Sequence, residues 1–177
     1  MNNYNNHTNT MPQPEVAAYL GIGANLGDRA ASIQTALQKI GDWPGIEVTR
    51  ISSLYETAAI GMTDQPDFLN LVAALRTTLP PRALLGAFLH IENQMGRTRT
   101  VRWGPRVIDL DLLLYGEAQV LLPGLTVPHP GLRERAFVVV PLAEIAPDLV
   151  LPGDGKKVLE LADTLRKTGN IQRFPVV

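Results

Sequence analysis

The chain contains no cysteine, which excludes disulfide staples, thiolate nucleophiles and cysteine-ligated metal centres, and suits a reducing compartment. Its formal net charge is only -1, so no global field draws it to nucleic acid or to an anionic membrane. Any anion site must therefore be a local cluster of bases. No hydrophobic run reaches bilayer-spanning length. Residues 1–14 are Asn-rich and polar, without the basic and then apolar layout of an export signal. Both familiar phosphate-cradling loops are missing: there is no Gly-x-x-x-x-Gly-Lys-Ser/Thr, and Gly21, Gly23 and Gly27 miss the dinucleotide spacing. What is there is a hydrophobic fraction of 45% in 177 residues, enough for one compact core. The expectation is a disordered tail over 1–14 and a single domain over 15–177, in the cytoplasm.

The most informative segment is Arg102-Trp103-Gly104-Pro105-Arg106-Val107-Ile108-Asp109-Leu110-Asp111-Leu112-Leu113-Leu114-Tyr115-Gly116. Residues 107–115 have the aliphatic content of a buried strand, yet Asp109 and Asp111 stand two positions apart and so share one face. At a separation of roughly 6–7 Å, two such charges repel by about 2–3 kcal/mol at an effective dielectric near 20. A hard divalent cation is the commonest way to offset this, because Mg²⁺ sits between one or two carboxylates and substrate phosphates. Arg97, Arg99, Arg102 and Arg106 surround the pair in sequence, with His129 and Arg135 further on. Cations gathered around two acids suit a polyphosphate, with a nucleotide as the expected ligand.

Blander readings stay open at this point. The acids can also be read as structural ion-pair partners of nearby arginines, and the arginines, but for the adjoining Asp-x-Asp strand, as a solvated loop. Trp103, Phe68 and Phe137 are by residue type core rings as readily as ligand contacts. Asn70 on a strand is as readily a partner for a backbone group, and Gly23-Ala24-Asn25 reads as a plain strand exit. Two other functions fit parts of the pattern: a glycosyl- or nucleotidyltransferase holding a nucleotide through Asp-x-Asp, and an RNA-binding sheet of the split βαβ type.

Periodicity places strands at 16–24, 46–55, 68–77 and 107–115, and helices at 29–40 and 81–95, the first starting at Asp28 and stopping at Gly41. The order strand, helix, strand, strand, helix, strand predicts an α+β, ferredoxin-like split βαβ core, an antiparallel sheet with helices packed on it. A C-terminal extension follows, with a short helix over 134–139, a turn at Pro152-Gly153-Asp154-Gly155 and a closing helix from Val158. The polar segments 57–66 and 96–104 are expected to close over ligands.

On these residues the chain resembles the 6-hydroxymethyl-7,8-dihydropterin pyrophosphokinase family. The family signature is a basic residue, any residue, Gly, Pro, Arg, two residues, Asp, an aliphatic, Asp and two aliphatics, and residues 102–113 meet it in full. The resemblance extends over 16–165 through Tyr55-Glu56-Thr57, Asp64-Gln65-Pro66-Asp67-Phe68-Leu69-Asn70, Ile91-Glu92 with Gly96-Arg97, Thr126-Val127-Pro128-His129 and Arg135-Ala136-Phe137. It implies transfer of diphosphate from ATP to the hydroxymethyl group of the pterin, leaving AMP, in folate biosynthesis. Two Mg²⁺ ions would be held by Asp109 and Asp111, with Arg97 and Arg106 as the catalytic arginines. Thr57, Ile60, Phe68, Asn70, Trp103 and Phe137 would bind the pterin, the two phenylalanines by stacking and Thr57 through its backbone. Glu92, Arg99, Leu112, Thr126, His129 and Arg135 would contact ATP. The partners implied are small molecules alone, with no nucleic acid and no membrane, acting on a monomer. Departures from relatives are Thr100 where some have lysine, a 97–102 loop one residue shorter than in one relative, Gly124 and Pro130 in place of side chains that can touch nucleotide, and Ala58 and Ala59 in place of prolines.

Overall fold

A computed structural model describes residues 14–59, 64–97, 104–153, 155–168 and 170–175. Strand β1 (Val16–Ala24) leads into helix α1 (Arg29–Gly41), whose Asp28 N-cap accepts from the Ala31 N–H at 3.0 Å. Strands β2 (Ile46–Ile51), β3 (Tyr55–Thr57) and β4 (Phe68–Thr77) follow. Helix α2 (Pro81–Gln94) begins on a proline, where the lost N–H has no helical partner to lose. Then come β5 (Asp109–Tyr115), a hairpin of β6 (Val120–Leu122) and β7 (Leu125–Val127), helices α3 (Ala136–Ile145) and α4 (Val158–Thr168), and β8 (Ile171–Arg173).

The main sheet runs β5-β1-β4-β3-β8, with β2 also paired to β4, and each pairing is antiparallel. Within it the predicted split βαβ core is complete, β5 and β4 flanking β1. Strand alternation sorts two cores. Leu20 and Ile22 of β1, Leu71, Ala73 and Leu75 of β4, and Leu110 and Leu112 of β5 pack against α1 and α2. The opposite face carries Val72, Ala74, Leu113 and Leu114 against α3 and α4. Helices therefore pack on both faces of the sheet.

Several elements depart from expectation for local reasons. The strand expected over 46–55 breaks at Ser52, whose hydroxyl takes the Val72 N–H at 3.0 Å in place of a ladder carbonyl. Helix α3 is longer than the expected 134–139 because it is apolar nearly all round, with Val138, Val139, Val140 and Leu142 buried, and so shows no helical stripe to read. The β6–β7 hairpin and β8 are three-residue strands, too short for a visible period. Of the expected tail 1–14 only Pro14 lies within the described residues, and most of 96–104 and residues 60–63 lie outside them, so the expected closure does too.

Candidate active site

Two glycines open the cleft. On β1 the face away from α1 carries Gly21 and Gly23, which stand directly across from Asp111 and Asp109 of β5, and Gly23 also faces Asn70 of β4. Without side chains at these positions, a cleft of about 300 Å³ is left between the sheet and the start of α3. A Cβ on Gly23 would come within 2.9 Å of Asn70 Oδ1. Gly23→Ala is accordingly expected to push the Asn70 amide aside and to weaken ligand binding at this end of the cleft by about tenfold, a cost of about 1.4 kcal/mol, measurable by ligand titration.

Asp109 and Asp111 project together into this cleft. Asp109 is held on both oxygens, by Arg97 Nη1 at 2.6 Å and Arg106 Nη1 at 2.5 Å. Charge neutralisation by arginine is thus realised at Asp109, as the ion-pair alternative anticipated. Among the described residues Asp111 has no such clamp: the imidazole of His129 stands 4.0 Å from its carboxylate. Burial in the cleft first, and the Asp109 charge second, push the Asp111 carboxyl above its ordinary pKa, against the lowering influence of His129, Arg135 and Arg97. Burial moves the His129 pKa below its ordinary value, against the pull of Asp111. Its Nδ1 accepts from the Gly131 N–H at 3.1 Å, so the neutral ring carries its proton on Nε2, facing Asp111.

Glu92 is buried, 1% exposed, beneath this array. Its carboxylate is paired with the Arg97 guanidinium and accepts from the Leu110 N–H at 2.7 Å. Leu110 lies on β5, an edge strand, so Glu92 satisfies an outward backbone donor that no neighbouring strand could take. The His129 N–H does the same for the Leu113 carbonyl at 2.9 Å. Glu92, which the resemblance places at ATP, supports Arg97 and β5 in this structure. Leu112 is likewise turned into the α1–α2 core, 4% exposed, and Thr126 is exposed on β7 away from the cleft; neither side chain lines it.

The other end of the cleft is lined by Phe68, Thr57, Asn70 and Phe137. Both rings are partly exposed, unlike the fully buried Phe88, which separates them from core aromatics. Arg135 lies over the Phe137 ring with its guanidinium carbon 5.8 Å from the centroid, close enough for a cation–π contact. The Thr57 side chain has a task that its expected backbone role omitted: its hydroxyl accepts from Asn70 Nδ2 at 3.0 Å and orients that amide. Arg97, Arg106, Asp109, Asp111, Thr57, Phe68, Asn70, His129, Arg135 and Phe137 thus meet in one cleft. Ile60, Arg99 and Trp103 lie outside the described residues.

Asn25, read from sequence as part of a strand exit, is 1% exposed and joins both flanking segments. Its Nδ2 donates to Gln65 Oε1 at 3.0 Å and the Pro66 carbonyl at 3.1 Å, while its Oδ1 accepts from the Arg106 N–H at 2.8 Å. The signal that could have found it is its place in a glycine-rich turn after an apolar strand, where an amide's donors and acceptor can serve two chains at once.

Residues 19–147 match the family model described as 7,8-dihydro-6-hydroxymethylpterin-pyrophosphokinase. A Methylorubrum extorquens protein named 2-amino-4-hydroxy-6-hydroxymethyldihydropteridine pyrophosphokinase is 53% identical over 137 residues, covering 77% of this chain and 87% of its own length. A Pseudomonas aeruginosa protein of the same name is 46% identical over 157 residues, covering 89% and 96%. Among solved structures, a Plasmodium falciparum HPPK-DHPS triple mutant superposes with a TM-score of 0.76 at 15% identity, over 95% of this chain. This chain spans 49% of that longer polypeptide. The match over residues 19–147, with relatives similar along most of their length, shows that the chain belongs to the 7,8-dihydro-6-hydroxymethylpterin-pyrophosphokinase family.

Proposed function

We propose that this protein transfers the terminal diphosphate of ATP to the hydroxymethyl oxygen of 6-hydroxymethyl-7,8-dihydropterin, releasing AMP, as a step of folate biosynthesis. The observation that carries the reading is one cleft with an acid and arginine end joined to an aromatic and amide end. In the reaction the acceptor oxygen bonds to the β-phosphorus, the bond from that phosphorus to the α,β-bridging oxygen breaks, and AMP leaves.

The acidic end fits a magnesium-bound triphosphate. Asp109 and Asp111 offer hard oxygen ligands on one strand face, and no group of three or more His, Cys, Asp or Glu among the described residues forms a complete metal cage. Two carboxylates with the remaining ligands drawn from phosphate and water is the arrangement Mg²⁺ favours. Two such ions on Asp109 and Asp111 would neutralise the triphosphate and make the β-phosphorus more electrophilic. Arg97 and Arg106, whose guanidinium groups already face the cleft, supply planar donors for charge building on the transferred group and on AMP. His129 and Arg135 line the same cleft and would contact phosphate oxygens of the bound nucleotide.

At the other end, Phe68 and Phe137 offer faces for a flat heterocycle, an interaction worth about 0.5–1.5 kcal/mol beyond area burial. Asn70, fixed by Thr57, reads the heterocycle's edge, and Gly23 leaves room for it. Within this proposal residues 15–177 act as one cytoplasmic domain and as a monomer. Among the described residues no helix is long and apolar enough to cross a membrane.

Incubation with ATP, Mg²⁺ and hydroxymethyldihydropterin, followed by phosphorus NMR, is expected to give AMP in equal amount with pterin diphosphate. ADP as the nucleotide product would exclude diphosphoryl transfer.

A further inference from the structure

The acceptor side of the cleft is carried by a very short strand. Strand β3 has three residues, yet it sets Thr57 opposite Phe68 of β4. Such a strand has little pairing of its own to hold it in place. Its other edge is paired to β8 near the C-terminus, with Thr57 in register with Ile171 and Glu56 with Gln172, and the Phe174 N–H donates to the Leu54 carbonyl at 2.8 Å.

Alternation turns Glu56 to the opposite face from Thr57, towards α1. There it meets Arg29, the first residue of α1, whose Nη1 stands 2.7 Å from Glu56 Oε1. The same nitrogen, which carries two protons, donates to the Asp67 carbonyl at 2.8 Å. Arg29's guanidinium carbon lies 5.8 Å from the centroid of the Phe174 ring. One side chain thus binds the residue before Phe68 and the residue before Thr57, and it does so from outside the cleft, which it does not line. The base of this contact is rigid, because α1 is capped by Asp28 and buries Ile33, Ala36 and Ile40.

We propose that Arg29 is a positioning residue for the acceptor: from behind the sheet it fixes the spacing of the segments carrying Thr57 and Phe68, with Phe174 of the C-terminal segment backing its guanidinium. The proposal rests on the reading of the Phe68–Phe137 end as the pterin site. It implies a separation of effects, since the groups Arg29 touches, Glu56, the Asp67 carbonyl and Phe174, do not line the cleft at Asp109 and Asp111.

Steady-state kinetics of Arg29→Met, Arg29→Lys and Phe174→Ala, with binding of α,β-methylene-ATP and of the pterin measured separately, test it. Arg29→Met is expected to raise the pterin KM and pterin Kd by about tenfold, which corresponds to about 1.4 kcal/mol. The Kd for α,β-methylene-ATP should stay within about twofold, and Arg29→Lys, which keeps a charged donor for both partners, should recover most of the pterin affinity. Phe174→Ala should fall between wild type and Arg29→Met. Unchanged pterin affinity in Arg29→Met overturns the proposal, and so does an equal loss of pterin and nucleotide affinity, which would mark a general loosening. Failure of the wild-type protein to form AMP would count against the proposed reaction, whereas pterin binding reports on Arg29 without turnover.

Discussion

Asp109→Ala is expected to lower turnover by more than about a hundredfold while the protein stays folded. The estimate follows from metal-site energetics: loss of a partner one step removed from the metal commonly costs about 10–100-fold, and Asp109 is read as a direct ligand. The structure adds a second loss. Asp109 is the common partner of Arg97 and Arg106, so its removal leaves two guanidinium groups converging without the anion between them. Their mutual repulsion would displace them from the positions in which they face the cleft. Folding should survive, because Arg97 keeps Glu92 and Arg106 keeps its bond to the Gly104 carbonyl at 3.2 Å. Turnover by product formation and folding by circular dichroism check both halves. Retained turnover would contradict the metal role, and an unfolded variant would contradict the claim that Asp109 serves the site more than the fold.

Glu92→Ala is expected to do the reverse, weakening the fold before it reveals anything of chemistry. Removing one partner of a buried ion pair costs about 3–5 kcal/mol, and the lower end applies because Arg97 retains Asp109. The Leu110 N–H also loses its acceptor at an edge no strand covers, adding an unsatisfied buried donor. A loss of about 3 kcal/mol corresponds to a melting temperature lower by roughly 6–12 °C in a chain of this size. Glu47→Ala is the natural control: its ion pair with Arg76 is half exposed, and loss of such a solvent-screened pair should leave the melting temperature nearly unchanged. Calorimetry of the two variants tests the contrast. Equal and small losses would mean that Glu92 is not the support described.

What sequence made legible follows the physics of pattern. The shared face of Asp109 and Asp111, the Asp28 cap, the Pro81 start and the sheet order all rest on local rules with a strong period or a strong residue preference. The two phenylalanines are ambiguous by type, and only the fold brings them, partly exposed, into one cleft. Other features were invisible because no local rule encodes them. Gly21 and Gly23 look like any small residues on a strand until their neighbours across the sheet are known to be Asp111, Asp109 and Asn70. Glu92 carries an acid on a helix, which normally means solvent, and only the edge position of β5 turns it inward. Strand β8 has three residues and owes its existence to the exposed edge of β3. Arg29 sits in a helix's first turn, where a positive charge is locally unfavourable, and the Glu56 carboxylate and Asp67 carbonyl reach it only through tertiary contact.

The central claim is that Asp109 and Asp111 hold metal on a triphosphate in the cleft that also receives the pterin. A crystal structure with Mg²⁺ and α,β-methylene-ATP tests it most directly. The account predicts magnesium coordinated by both carboxylates, with Arg97 and Arg106 turned from Asp109 onto phosphate oxygens. Magnesium bound away from Asp109 and Asp111, or Asp109 still clamped by both arginines with nucleotide in place, would contradict it.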